Sequence, residues 1–291
     1  MTDELRFAKY QGTGNDFVML VDLDDERPLE PDAVAALCHR RTGVGADGVI
    51  RLVRSSRPDA SFVMDYRNAD GSLAEMCGNG ARCVGKLVHD LGLAEGLEFG
   101  MQTLGGIRRL RLHEDGGEVR RVTVSMSVPG FTKAAIPMRG PAWETFLSQP
   151  FDVGGGMTLT ASAVSMGNPH LVLFVDDPDT ARVTQHGPHL EHDPRFPRRT
   201  NVEFVAPDGR GGMRMRVWER GVGETLSCGT GACAVAAVSH RRGLVGNTVT
   251  VHVPGGDLVV EVGDTIRLGG PVVHVFDVDV DPAALTDGAS A

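Results

Sequence analysis

The stretch EMCGNGARC (75–83) sets a cysteine directly before a Gly-Asn-Gly turn, at what reads as the start of a helix, and LSCGTGACA (226–234) repeats the device. Cys77 and Cys228 stand 228 − 77 = 151 residues apart in a chain of 291. Two more landmarks keep the same order and nearly the same offset. GNDFVMLVD from Gly14 matches GNPHLVLFVD from Gly167, with Asn15 and Asn168 separated by 153, and TLGG ending at Gly106 matches VPGG ending at Gly256, separated by 150. One repeat of this length implies two like halves rather than a solenoid of short units.

Within each half the pattern is strand-rich. FVMLVD and LVLFVD read as buried strands, as do ASFVMDYRN and the later VRRVTVSMSV and DLVVEVGDTIRLGG. PDAVAALCHRR (31–41) has apolar residues at helical spacing behind an N-terminal proline. The segments GARCVGKLVHDLGL and GACAVAAVSHRRGLV read as one long helix in each half, and AVAAVS is apolar nearly all round, so its helix is expected to be buried with the sheet curved around it. Pro129, Pro137 and Pro141 suggest a linker over 128–141, and the residues after Asp281 read as a disordered tail.

Composition narrows the function. With 29 basic and 38 acidic residues the net charge is −9, and no basic tract exists, which argues against nucleic acid or an anionic membrane surface as partner. No apolar run approaches a membrane span, and MTDELRFAKYQG has no signal-peptide pattern, so a cytoplasmic protein is expected. Five cysteines, an odd and sparse set, do not read as a disulfide framework.

The cysteines admit several readings. Cys38, Cys83 and Cys233 fit small buried hydrophobes. Zinc fits poorly, because the spacings are Cys-x5-Cys and Cys-x4-Cys. GARCVGKL (80–87) nearly spells a phosphate loop, but Leu87 occupies the position of the required hydroxyl. Cys77 and Cys228 differ from the rest: a thiol at a helix N-terminus feels the positive end of the dipole, which is expected to lower its pKa. Two such thiols facing one small space, beside bare glycine N–H groups, suit inversion of a carbon bearing a carboxylate. One sulfur removes a proton from one face and the other delivers a proton to the opposite face, while the amides hold the carboxylate. The sequence offers no clear Schiff-base lysine, which fits a route without cofactor or metal.

Together GTGNDFV (12–18), NADGSLAEMCGNGARC (68–83), SMGNPH (165–170) and ERGVGETLSCGTGACA (219–234) resemble the diaminopimelate epimerase family over nearly the whole chain. The resemblance implies an α+β fold of two pseudo-symmetric domains, each a mixed, mostly antiparallel sheet wrapped around a central helix, with the active site in the cleft between them. The halves would be 1–128, completed by a strand around 272–280, and 129–271. It implies cofactor-free interconversion of LL- and meso-2,6-diaminopimelate by a homodimer, in lysine and peptidoglycan precursor synthesis. Cys77 and Cys228 would be the catalytic bases, with His170 and Glu219 close to the thiols. Gly78, Asn79, Gly229 and Thr230 would bind the reacting carboxylate, and Asn15, Asn68, Asn168, Asn201, Glu219 and Arg220 the remaining substrate groups.

Other readings stay open on the residues alone. Asn15 and Asn168 follow glycines and suit turns, ERG suits a solvated turn, and His170 suits a strand end. A two-thiol racemase of proline or hydroxyproline would use the same device, and a binding module for a dicarboxylic amino acid would need no chemistry. One departure stands out: after the aspartate of GVGAD, where many family members carry a substrate-contacting glutamine, this chain has Gly48.

Overall fold

The computed structural model describes residues 5–281; the expected tail beyond Asp281 lies outside them. The chain divides into two compact units. One comprises residues up to Val124 together with those from Gly270 onward, and the other is Ser125–Gly269.

The first unit opens with β1 (Leu5–Gly12) and β2 (Asn15–Val21), an antiparallel hairpin. Its two turn residues, Thr13 and Gly14, both take positive φ (53° and 82°), the backbone that matches the twist of a two-residue hairpin. Helix α1 (Pro31–Cys38) leads to β3 (Gly48–Arg54), which runs parallel to β2, and β4 (Phe62–Asn68) returns antiparallel. Helix α2 (Gly78–Asp90) then crosses to β5 (Glu98–Thr103), parallel to β4, followed by the antiparallel β6 (Gly106–Asp115) and β7 (Glu118–Ser125). The strand Val273–Val280 comes back from the far end of the chain and pairs antiparallel with β1.

The second unit repeats the scheme. Strands β8 (Gln149–Asp152), β9 (Thr158–Ser165) and β10 (Pro169–Phe174) run antiparallel, and helix α3 (Val183–Glu191) precedes β11 (Asn201–Pro207), parallel to β10. Then follow β12 (Met213–Glu219), β13 (Gly223–Thr225), helix α4 (Gly229–Arg241), and β14 (Thr248–Val253), which lies parallel to β12. Antiparallel β15 (Gly256–Glu261) and β16 (Arg267–Pro271) follow. In each unit, therefore, a short helix lies between one parallel pair of strands (β2 and β3, β10 and β11), and a 13-residue helix crosses between a second parallel pair (β4 and β5, β12 and β14).

Eleven of the 13 residues of α2 and ten of those of α4 are buried, which makes each the centre of its unit. Helix α2 lies against β1, β2 and β6, and α4 against β9, β10, β11, β12, β14 and β15. Helix α4 does this with small side chains, Ala232, Ala234, Ala236 and Ala237, whereas α2 also buries Arg82 and Leu87.

Two expectations need correction. The helix expected over 31–41 ends at Cys38, because His39 turns extended (ψ 118°) and the N–H groups of Gly45 and Ala46 cap the carbonyls of Leu37 and Cys38. The proline-rich 128–141, expected as a linker, is part of the second unit. Ile136 and Met138 enter the core of the second unit beside Phe151 and Phe196, and Gly130 bridges to Ser165.

Candidate active site

In the first unit the chain before α2 is extended (Cys77 φ −132°), and the Cys77 sulfur caps the helix by accepting the Gly80 N–H at 3.4 Å. Gly78 and Asn79 form the first buried residues of the helix. Asn15, at the start of β2, is drawn to the same place: its Oδ1 accepts from Asn79 Nδ2 at 3.2 Å and from the Cys77 thiol at 3.7 Å. Asn79 Oδ1 is buried and has no hydrogen-bond partner among the described residues.

Asn15 is itself held. Its Nδ2 donates to Asp47 Oδ2 at 2.5 Å, and Arg40 spans Asp47 and Asp16 at 2.6 and 2.7 Å. Lys9, 6% exposed, pairs with Asp16 at 2.7 Å. Burial alone raises the Asp16 carboxyl, but Arg40 and Lys9 outweigh it and hold the group at about 2. Asn68 ends β4 opposite Gly48 and donates to Ser72 Oγ at 3.0 Å. Gly48 leaves no room for a side chain, because a Cβ there would lie 2.5 Å from the Arg67 carbonyl and 2.6 Å from the Tyr66 ring.

In the second unit Cys228 stands at the same point before α4, in the same extended conformation (φ −121°), but makes no side-chain cap. Its surroundings are acidic. Burial pushes the Cys228 thiol well above its ordinary range, and the carboxylates of Glu219 and Glu203 push it further, so the lowering expected from the helix end is reversed here. Glu219, the last residue of β12, accepts from Thr225 Oγ1 at 2.6 Å and is hydrogen-bonded to Cys228; burial raises its carboxyl.

A run of hydrogen bonds leads away from this sulfur. Thr230 Oγ1 lies 3.5 Å from Cys228 Sγ and accepts from Asn168 Nδ2 at 3.4 Å. Asn168 Oδ1 faces His170 Nε2 at 3.0 Å, and His170 Nδ1 faces Glu203 Oε1 at 2.6 Å. His170 and Glu203 both have fully buried side chains. His170 is thus no ordinary strand-end histidine.

Asn201 uses both ends of its amide on the protein: Nδ2 donates to the Pro169 carbonyl at 3.0 Å, and Oδ1 accepts the Arg220 N–H at 2.9 Å. The ERG turn is also tied by Gly221 N–H to Glu191 Oε1 at 2.9 Å, while the exposed Arg220 side chain donates to the Arg198 carbonyl. Each unit thus gathers its own candidates around its own cysteine: Asn15, Gly78 and Asn79 at Cys77, and Asn168, His170, Glu219, Gly229 and Thr230 at Cys228. Asn68 lies at the end of β4, and Asn201, first in β11, is bonded to the turn that holds Arg220.

Sequence reasoning missed the supports: Asp47, Arg40, Glu191 and Glu203. Glu203 had a signal, a lone charge inside the apolar strand NVEFVAP. None of the five cysteines is joined in a disulfide. Among the described residues no group of three or more His, Cys, Asp or Glu could hold a metal, and no helix is long and apolar enough to cross a membrane.

Among solved structures the fold is similar to a hydroxyproline epimerase from Agrobacterium vitis with bound trans-4-hydroxy-L-proline (TM-score 0.68, 17% identity, 95% of this chain and 91% of that one). It is similar also to a phenazine biosynthesis protein of the PhzF family from Bacillus anthracis (TM-score 0.69, 17% identity, 96% and 99%). At such identities the likeness speaks of architecture alone. Sequence relatives are nearer. A diaminopimelate epimerase of Moorella thermoacetica is 46% identical over 276 residues, covering 94% of this chain and 98% of the relative. One from Cupriavidus taiwanensis is 41% identical over 289 residues, covering 97% and 99%. The family model described as diaminopimelate epimerase matches residues 7–131 and 162–275, taking in Cys77, Cys228 and the asparagines around them. By these matches in both halves, the chain belongs to the diaminopimelate epimerase family.

Proposed function

We propose that this protein is a two-base epimerase interconverting LL- and meso-2,6-diaminopimelate without cofactor or metal, as an isomerase of lysine and peptidoglycan precursor synthesis. The observation that carries the reading is the paired placement of Cys77 and Cys228 as the residues from which the two central helices start. The reading requires the two domains to present these sulfurs to opposite faces of one α-carbon in the cleft between them.

The chemistry follows from the local surroundings. Cys77, with an N–H donor on its sulfur, acts as base toward the LL isomer. Cys228, kept protonated by burial and by Glu219 and Glu203, returns a proton to the other face. In the reverse direction the roles exchange. Charge develops on the substrate carboxylate as the α-proton leaves. N–H groups at the starts of α2 and α4, from Gly78, Asn79, Gly229 and Thr230, stabilise it, each such donor being worth about 3–4 kcal/mol in the transition state. The unpartnered Asn79 Oδ1 is a spare acceptor for an ammonium group. Asn15, Asn68, Asn168, Asn201 and Glu219 hold the amino-acid ends, and Arg220 grips the distal carboxylate with a bidentate pair. The protein works as a cytoplasmic homodimer, in a compartment that keeps the thiols reduced.

The test is turnover of LL-diaminopimelate in deuterium oxide, with proline as control. Expected are deuterium at the α-carbon, formation of the meso isomer, no turnover of proline, and loss of epimerisation by at least about 10³-fold in both Cys77→Ala and Cys228→Ala. Full activity in either variant ends the two-base reading.

A further inference from the structure

The two units are built alike but differ beneath their cysteines. By strand register, His170 of β10 lies opposite Asn201 as Phe17 of β2 lies opposite Gly48, and Glu203 takes the place of Ile50. The first turn of each helix reports the difference. A Cβ at Gly80 would meet Ile50 Cδ1 at 2.7 Å, Met64 Cε at 3.0 Å and Phe17 Cζ at 3.5 Å. A Cβ at the matching Gly231 would meet Glu203 Oε1 at 3.0 Å and the Cys228 Sγ at 3.4 Å. One thiol therefore stands over an apolar plug, the other over a buried carboxylate and imidazole. Glu203 keeps this place although its Oε2 is buried with no hydrogen-bond partner among the described residues. Leaving such an oxygen unpaired is destabilising. That expense has no counterpart in the Ile50 arrangement, which folds the same scaffold.

We propose that Glu203 is a positioning residue for the Cys228 half of the reaction. Its carboxylate holds the His170 ring and, through Asn168 and Thr230, directs the hydrogen bonding of the Cys228 thiol, so that the two thiols are chemically unequal. This deepens the functional reading above and rests on it. The direction of the run is readable: Asn168 Nδ2 donates to Thr230 Oγ1, which leaves the threonine hydrogen for the Cys228 sulfur. Each nitrogen of His170 faces an oxygen, so the ring plane is fixed from both sides. The charged groups that act on the Cys228 thiol are Glu219 from β12 and Glu203 from β11, the latter paired with His170 of β10.

The full-length variant Glu203→Gln keeps the shape and removes the charge. Expected are a fall in kcat of about tenfold or more with KM changed by less than about threefold, and a shift of the alkaline limb of the kcat profile to lower pH. The thiolate ultraviolet absorption of Cys228, taken as the difference from Cys228→Ser, is expected to rise at lower pH in Glu203→Gln. Wild-type kcat with a wild-type profile overturns the proposal. So does a loss of kcat with both pH profiles unmoved, which marks a merely structural role. If Glu203→Gln does not fold, the double variant His170→Phe with Glu203→Ile copies the packing of the first unit and is read in the same way. A wild-type protein that exchanges no α-proton of diaminopimelate ends the functional reading instead, and the thiolate titration then judges Glu203 alone.

Discussion

At Gly48 the absence of a side chain is enforced by neighbours. The Arg67 carbonyl and the Tyr66 ring come so close that even a methyl group must displace one of them. Gly48→Ala is expected to lower stability by about 1–3 kcal/mol, read as a lower denaturant midpoint; an unchanged midpoint refutes the clash. The buried thiols give a second outcome at this scale. Burial pushes Cys38 up to about 11 and Cys83 up to about 12. An unfolded thiol titrates near about 8.5, so above that pH the unfolded chain gives up protons that the folded chain retains. Their stabilising effect is complete below about pH 8.5 and is lost as pH rises toward the folded values. The denaturant midpoint is expected to fall from about pH 8.5 upward, and less steeply in Cys38→Ala. An equal slope in that variant rules out Cys38 as a source.

Among the elements, α2 shows two effects in competition. Gly85 lies inside the helix, where alanine is intrinsically favoured by about 1 kcal/mol. A Cβ there would meet Val122 Cγ1 at 2.9 Å and Leu112 Cδ2 at 3.0 Å, on the strands wrapped around the helix. Overpacking of this kind costs about 1–3 kcal/mol, so Gly85→Ala is expected to destabilise despite its better propensity; a raised melting temperature would show that the strands yield. The start of this helix was legible in the sequence, as was that of α4, since the Cys-Gly-x-Gly-Ala pattern recurs at a fixed offset. The strands were legible for a similar reason: FVMLVD and LVLFVD are apolar runs bounded by turns. Residues 128–141 were read as a linker from their prolines, whereas Ile136 and Met138 enter a core formed by distant residues. The part of Glu203 in the acidity around Cys228 was hidden for the same cause. Glu203 and Glu219 lie 25 and 9 residues before it, and only the register of β11 and β12 brings them to its sulfur.

On the scale of the whole molecule, the first unit is assembled from two distant parts of the chain. Strand β1 is paired on one side with β2 and on the other with Val273–Val280. A chain ended at Gly270 is expected to lose protection against limited proteolysis first within residues 5–124, with the second unit surviving longer; equal protection of both would show that the returning strand is dispensable. If Cys77 and Cys228 serve one carbon, mild oxidation is expected to join them, with loss of two hydrogens by mass and recovery of activity in reductant. Oxidation that leaves activity intact would speak against a shared site.

The returning strand also sets a schedule for synthesis. The first unit leaves the ribosome early, but the partner of its β1 is translated only after all of Ser125–Gly269 has emerged. At about 5–20 residues per second, its unpaired edge waits on the order of ten seconds in the nascent chain. The half that is made first is therefore completed last, and the exposed edge of β1 is where a chaperone would be needed during that interval.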